Sequence, residues 1–189
     1  MTNSYLLILF IMLGLSLPMF PQDRKSDGVD NVLEQVPYAS IFLLKACGVK
    51  SKDNWGALTV TTVGSWVVAA GTTYLLKNNI RERRPDGANH RSFPSAHTCL
   101  TFTGATVLHK EYGQVSPWIS VAGYTVATCV GIDRVLRDRH HWHDVVVGAG
   151  LGIGLTEGTW WLTHRVFKRK DKEVAIGCSG NTLDLAITF

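Results

Sequence analysis

Residues 77–97 read KNNIRERRPDGANHRSFPSAH, and residues 134–144 read RVLRDRHHWHD. Three islands stand out in them. Lys77 is followed after six residues by Arg84 and Pro85; Pro94-Ser95-Ala96-His97 comes next; Arg134 is followed after five residues by His140, with Asp144 four beyond. Together they supply two guanidinium groups, an ammonium, a hydroxyl, two imidazoles and a carboxylate. That set can hold a phosphoryl group, attack it and protonate the oxygen that leaves, with no metal and no cofactor.

The chemistry follows from the residue types. A phosphoryl group spreads charge over its equatorial oxygens, so catalysis on it is mostly positioning and electrostatics. Arg84 and Arg134 offer planar forks that match phosphate oxygens in pairs, and Lys77 adds a compact point charge. Ser95 brings a hydroxyl, and the backbone N–H groups of Ser95, Ala96 and His97 are placed to open a helix whose start attracts anions. His140 and Asp144 are i,i+4 and would share one helix face. There the carboxylate can hold one ring nitrogen while the other attacks phosphorus. His97 is left as the general acid.

Outward from these islands lie apolar stretches. Val36–Cys47 is a short helix candidate, and Trp55–Leu76 runs 22 residues without a charge, making it the best candidate to span a membrane. A helix from His97 to His109 follows, then one opened by Pro117 and running to about Ile132, then Val145–Leu162 with Gly148, Gly150, Gly152 and Gly154 for close packing. The first island ends one helix, the second opens the next, and the third joins the following pair. The expected fold is therefore all-α, a bundle of about five to six helices with the three islands converging at one end.

The three motifs resemble the type 2 phosphatidic acid phosphatase (PAP2) superfamily, whose pattern is Lys-x6-Arg-Pro, Pro-Ser-Gly-His and Ser-Arg-x5-His-x3-Asp. The resemblance runs from Lys77 to Asp144. It implies a PAP2/haloperoxidase-like bundle, with His140 as nucleophile through a phosphohistidine, Asp144 orienting it and His97 as acid. Lys77, Arg84, Ser95, Ala96 and Arg134 would bind the phosphate. Two positions depart from the pattern. Ala96 replaces Gly, which keeps the N–H and adds only a methyl. Asp133 replaces Ser, and a carboxylate there repels phosphate unless it is protonated, turned away or paired with Arg134, Arg137 or Arg139.

Bland readings compete. Arg81, Arg83 and Arg91 belong to no motif and suit a solvated or headgroup-facing belt. His141 and His143, with His140 and Asp144, can be read as a metal cluster, but that leaves the Arg and Ser islands unexplained. Ser95 also reads as an N-cap.

Composition bounds the setting. The 189 residues suit one domain, 46% of them are hydrophobic, and the net charge is +4. Mean hydropathy is +0.08, low for a chain mostly in lipid. No basic tract with interleaved aromatics points to nucleic acid. Four widely spaced cysteines form no C-x-x-C pair, and Cys99 and Cys129 read as core thiols. Residues 1–21 read as a signal peptide or N-terminal membrane anchor, 35–172 as the phosphatase-like domain, and 173–189 as a tail whose alternation from Thr182 to Phe189 suits an edge strand.

Lys50, Lys52, Lys110, Arg165, Lys168, Arg169, Lys170 and Lys172 fall at the end opposite the islands. If the helices span a membrane, that end is cytoplasmic by the positive-inside rule. The reading is an envelope enzyme of the bacterial inner membrane, its site facing the periplasm, acting on a lipid phosphate with lipid A phosphate favoured. Undecaprenyl diphosphate, phosphatidate and phosphatidylglycerol phosphate are further candidates. A soluble periplasmic acid phosphatase of the same family is the alternative. A catalytically silent phosphate or lipid sensor is the alternative of another class. Nothing in the sequence sets the oligomeric state.

Overall fold

The computed structural model describes residues 28–170, 175–179 and 182–186, with side chains from 31 to 166. The signal peptide or anchor expected over residues 1–21 lies outside the described residues. Five helices follow in order: α1 (Gly28–Ala46), α2 (Trp55–Asn79), α3 (Ala96–Tyr112), α4 (Pro117–Leu136) and α5 (Trp142–Lys170). A hairpin of β1 (Ala175–Ser179) and β2 (Thr182–Ala186) comes after them, antiparallel with Ala175 opposite Ala186 and Ser179 opposite Thr182. The alternating tail thus pairs with its own upstream neighbour.

Local chemistry sets the helix ends. Asn54 caps α2, its Oδ1 accepting from Ala57 N–H at 2.9 Å. Pro117 opens α4, where its missing N–H costs nothing. α1 starts at Gly28, not Val36, and carries Pro37 in its interior. Proline breaks one helical hydrogen bond there. Packing holds the segment helical: Tyr38 Oη donates to Leu100 O and Tyr112 Oη to Ile41 O, both at 2.7 Å, lacing α1 to α3.

α3 is the central helix and packs against the other four. One core cluster joins Tyr38, Ile41 and Phe42 of α1 with Leu58 of α2 and Val107, Leu108 and Tyr112 of α3. The second is made of smaller groups: Ala69 and Ala70 of α2, Cys99 and Leu100 of α3. Threonines fill much of the remaining interior, and Thr62, Thr73, Thr103 and Thr156 each donate to the carbonyl four residues before them. That bond lets a hydroxyl be buried without an orphaned donor.

α5 lies close on α3 because two of its glycines permit it. A Cβ at Gly148 would stand 2.7 Å from Ser95 O, and one at Gly152 would stand 2.4 Å from Cys99 O. Gly150 and Gly154 meet nothing within 4 Å, so only two of the four glycines serve the packing expected of them.

Large apolar side chains lie on the outside. Val67 and Leu75 of α2, Trp118, Ile132 and Leu136 of α4, and Trp142 and Leu162 of α5 are all exposed. Among the described residues, two helices are long and apolar enough to cross a membrane, Pro117–Leu136 and Trp142–Val166. Trp55–Leu76 is not one of them, because its threonines, serine and glycines dilute the apolar content. Cys99 is buried as expected, whereas Cys129 is exposed on α4.

Candidate active site

The three islands meet at the end of the bundle where α2 stops and α3 and α5 start. Lys77, in the last turn of α2, is 6% exposed. Its ammonium donates to Arg91 O at 2.9 Å and to Ser92 O at 3.2 Å, tying the helix end to the returning loop. Burial, and then the neighbouring guanidinium of Arg84, pull its pKa down to about 7, with Asp144 opposing.

The loop between α2 and α3 turns at Pro85-Asp86-Gly87. Gly87 sits at φ +71°, where a side chain is disfavoured, and its N–H donates to Arg84 O at 3.0 Å. The turn docks on the second loop: Asp86 N–H donates to Asp138 O at 3.0 Å, and the buried Arg139 donates Nη1 to Asp86 Oδ2 at 3.2 Å. Arg139 is thus a strut between the loop carrying Arg84 and the loop carrying His140. Sequence reading missed this role, since nothing local pairs residues 53 positions apart.

Ser95 is fully buried at the N-cap position of α3, without a side-chain cap bond. Its hydroxyl lies 2.9 Å from Thr98 Oγ1, and its N–H donates to Asp144 O at 3.1 Å. The expectation that all three N–H groups from Ser95 to His97 serve an anion is therefore corrected. Ser95 N–H is spent on the start of α5, leaving those of Ala96 and His97 in the first turn of the helix. Among the described residues Asp138 is the non-glycine with positive φ, so Ala96 is unstrained in place of the family's Gly.

Arg134 and His140 are both buried, at the end of α4 and in the loop beyond. The carbonyl of Arg134 accepts from Arg139 N–H at 3.0 Å and from His140 N–H at 3.2 Å. His140 Nδ1 faces Asp144 Oδ2 at 3.4 Å. The pair does not lie on one helix face as expected, because His140 precedes α5 and Asp144 stands in its first turn. The carboxylate reaches back across the helix start, where Oδ2 also accepts from His141 N–H at 2.9 Å and from Ser92 Oγ. Capping the helix and holding the histidine are thus done by one group. Ser92 was not singled out in the sequence; it precedes a Phe-Pro pair and belongs to no motif.

Burial pulls the pKa of His140 down to about 4; the bond to Asp144 works against this, and Lys77, Arg134 and Arg84 add to it. The ring is therefore neutral at physiological pH. With Nδ1–H toward Asp144, Nε2 carries a lone pair. His97, at the start of α3, feels the same cations, and burial with Arg134 and His140 pushes its pKa down as well. Six groups on six segments thus act on one another at this end of the bundle.

Asp133, the other departure, pairs with Arg137 at 2.9 Å. Beside the His140–Asp144 pair, ligand atoms of Glu82, His143 and Asp144 all lie within 4.8 Å of one another, with His143 Nε2 at 2.8 Å from Glu82 Oε1 and 3.3 Å from Asp144 Oδ1. His143 is thus part of the wall beside the pair.

Comparison with known proteins agrees with this architecture. The PAP2 superfamily model matches residues 55–169. Over 141 residues the chain is 38% identical to a Lipid A 1-phosphatase of Porphyromonas gingivalis, covering 74% of this chain and 32% of that protein. Over 74 residues it is 39% identical to Lipid phosphate phosphatase 1 of Arabidopsis thaliana, covering 33% of this chain and 23% of that one. The chain therefore spans about a third or less of the length of these relatives. The crystal structure of Aquifex aeolicus LpxE superposes with a TM-score of 0.55 at 21% identity, covering 81% of this chain and 93% of the other, which establishes a shared fold. With a family model matching more than half its length and all three motifs gathered in one pocket, the chain belongs to the PAP2 superfamily.

Proposed function

We propose that this chain hydrolyses a phosphate ester on an envelope lipid, lipid A phosphate first, without a metal. The observation that carries the proposal is the buried His140 held by Asp144 at 3.4 Å, with Lys77, Arg84, Arg134 and His97 close enough to act on it. His140 Nε2 attacks phosphorus, and the P–O bond to the lipid breaks. The leaving oxygen takes a proton from His97, giving free lipid and phosphohistidine. Water then attacks phosphorus, His97 accepts its proton, the P–N bond breaks, and inorganic phosphate leaves. Arg84, Arg134, Lys77 and the N–H groups of Ala96 and His97 bind the oxygens, and Ser95 shapes the start of α3. The lipid A choice is supported by the likeness to the P. gingivalis Lipid A 1-phosphatase.

A membrane setting is supported by the outward-facing apolar side chains and by tryptophan spacing. Exposed Trp142 and Trp161 lie 19 residues apart on α5, about 28 Å at roughly 1.5 Å per residue, close to the thickness of a bilayer's hydrocarbon core. We place α4 and α5 across the bacterial inner membrane, the site loops at the periplasmic face and the Lys52–Lys110 end in the cytoplasm.

The test is phosphate release by purified protein in detergent with EDTA present, from lipid A, undecaprenyl diphosphate, phosphatidate and an aryl phosphate. Turnover of one lipid that is lost in His140→Ala supports the proposal. Preference for the aryl phosphate moves the reading to a soluble-type acid phosphatase. No release from any substrate, with vanadate still bound, makes the chain a silent sensor.

A further inference from the structure

α1 lies outside the stretch matched by the family model, yet it supplies the residues behind His97. His97 Nε2 is 3.0 Å from Asn31 Oδ1 and 3.7 Å from Glu34 Oε2. Glu34 is only 8% exposed, and Gln35 Nε2 donates to its other oxygen at 3.5 Å. A buried carboxylate in such a place needs a partner or it takes up a proton.

The electrostatic problem at His97 makes this contact meaningful. A general acid must carry a proton before it can give one away. The groups acting on His97 are Arg134 of α4, Lys77 of α2, Arg84 of the first loop and His140 of the second, and all of them disfavour a second proton on the ring. Glu34 of α1 is the carboxylate against the ring.

We propose that Glu34 and Asn31 are positioning residues for the general acid: Asn31 fixes the His97 ring by Nε2, and Glu34 supplies the countercharge that keeps the proton on it. This rests on the reading of His97 as the acid. With Nε2 directed at α1, Nδ1 serves the leaving oxygen. The reactive form is a Glu34 carboxylate beside a His97 imidazolium. As the P–O bond breaks, the Nδ1–H proton passes to the leaving oxygen, and His97 becomes neutral with Nε2–H still on Asn31. In the second step Nδ1 takes the proton from the attacking water, restoring the imidazolium–carboxylate pair. Burial pushes the Glu34 carboxyl up to about 8 while Arg134 opposes, and His97 is pushed down, so the pair rests with its one proton on Glu34, and that proton crosses to the ring to form the reactive pair.

The experiment uses the full chain in detergent micelles and pH profiles of kcat on phosphatidate and p-nitrophenyl phosphate. Glu34→Gln removes the countercharge. It is expected to move the alkaline limb on phosphatidate down by about one pH unit, about tenfold in kcat on that limb, with KM within about twofold. The loss should be smaller on the aryl ester, whose leaving group needs less protonation. A carboxylate returned at the neighbouring position, in Glu34→Gln with Asn31→Asp, is expected to bring the limb back up. An unmoved limb in Glu34→Gln overturns the proposal, as does a failed rescue by the double variant. His97→Ala separates the two readings. If it costs the alkyl and aryl esters equally, His97 is not the acid. If it costs the alkyl ester far more while Glu34→Gln does not discriminate, only the role of Glu34 falls. Should Glu34→Gln not fold, Glu34→Asp decides: a carboxylate drawn back by one methylene from its 3.7 Å contact must lower the limb, and an unmoved limb overturns the proposal.

Discussion

Ser92 donates its hydroxyl to the same oxygen of Asp144 that faces His140 Nδ1. The two residues are 52 positions apart, and Ser92 is fully buried. Its carbonyl also accepts from Lys77, so one residue links the cation of the first motif to the carboxylate of the third. Ser92→Ala should leave Asp144 with one charge-assisted bond fewer, at about 1.5–3 kcal/mol. The expected outcome is a kcat about tenfold lower with KM little changed, and a lower Tm. A variant with unchanged kcat would show that His141 N–H and the helix start hold Asp144 unaided.

Lys77 sets a second expectation, in pH. Burial and Arg84 hold its pKa at about 7, against an ordinary 10.5, so it loses its charge above neutrality. A bound dianion favours the charged form and must draw in a proton at higher pH. Sulfate, whose charge is constant from pH 6 to 9, should inhibit most strongly below pH 7 and weaken by up to about tenfold per unit above it. Lys77→Arg stays charged throughout and should flatten that dependence. The same shift has a sign for stability. Between about 7 and 10.5 the unfolded chain holds a proton on Lys77 that the folded chain does not, so this group's contribution rises with pH across that window. Flat sulfate inhibition in the unaltered protein would contradict the shift.

The candidate site residues were legible through spacing, and helix existence through apolar runs. What the sequence could not disclose was set by tertiary contact. Apolar content marks α1 only from Val36, whereas the helix starts at Gly28 and runs through Pro37, with Tyr38 and Tyr112 holding it against α3. The i,i+4 spacing of His140 and Asp144 was legible, but not that α5 begins between them. Ser92, Arg139 and Glu34 were illegible for one reason: each acts on a residue more than 50 positions away. Trp55–Leu76 lacked charge and so looked like the best span, but lack of charge is not apolarity, and its threonines turn inward.

The glycines of α5 divide into two classes. Gly148→Ala and Gly152→Ala place a methyl against the carbonyls of Ser95 and Cys99, and backbone must move. Overpacking of this kind costs about 1–3 kcal/mol. Because Ser95 opens the helix that carries His97, Gly148→Ala should also lower kcat. Gly150→Ala and Gly154→Ala meet open space and remove a helix-disfavouring residue, so they should stabilise by up to about 1 kcal/mol. Thermal unfolding in detergent should order the four variants in two pairs with opposite signs of ΔTm. Similar shifts for all four would mean that α5 does not rest on α3 as described.

Asp133 stands where the family pattern has a serine, one residue before Arg134. Its carboxylate pairs with Arg137 at 2.9 Å, four residues on along the chain, with both side chains about one-third exposed. An exposed pair of this spacing is worth at most a few tenths of a kcal/mol. Its negative charge lies one residue from the buried Arg134 and is partly neutralised by Arg137. Asp133→Ser should therefore leave stability almost unchanged, hold or raise kcat/KM by up to a few fold, and tighten sulfate inhibition, most visibly at low ionic strength where the charge is least screened. Arg137→Ala tests the other half. It exposes the Asp133 charge to the pocket and should lower kcat/KM, and the loss should vanish in the double variant with Asp133→Ser. A complete loss of turnover in Asp133→Ser alone would instead make this carboxylate a working part of the site.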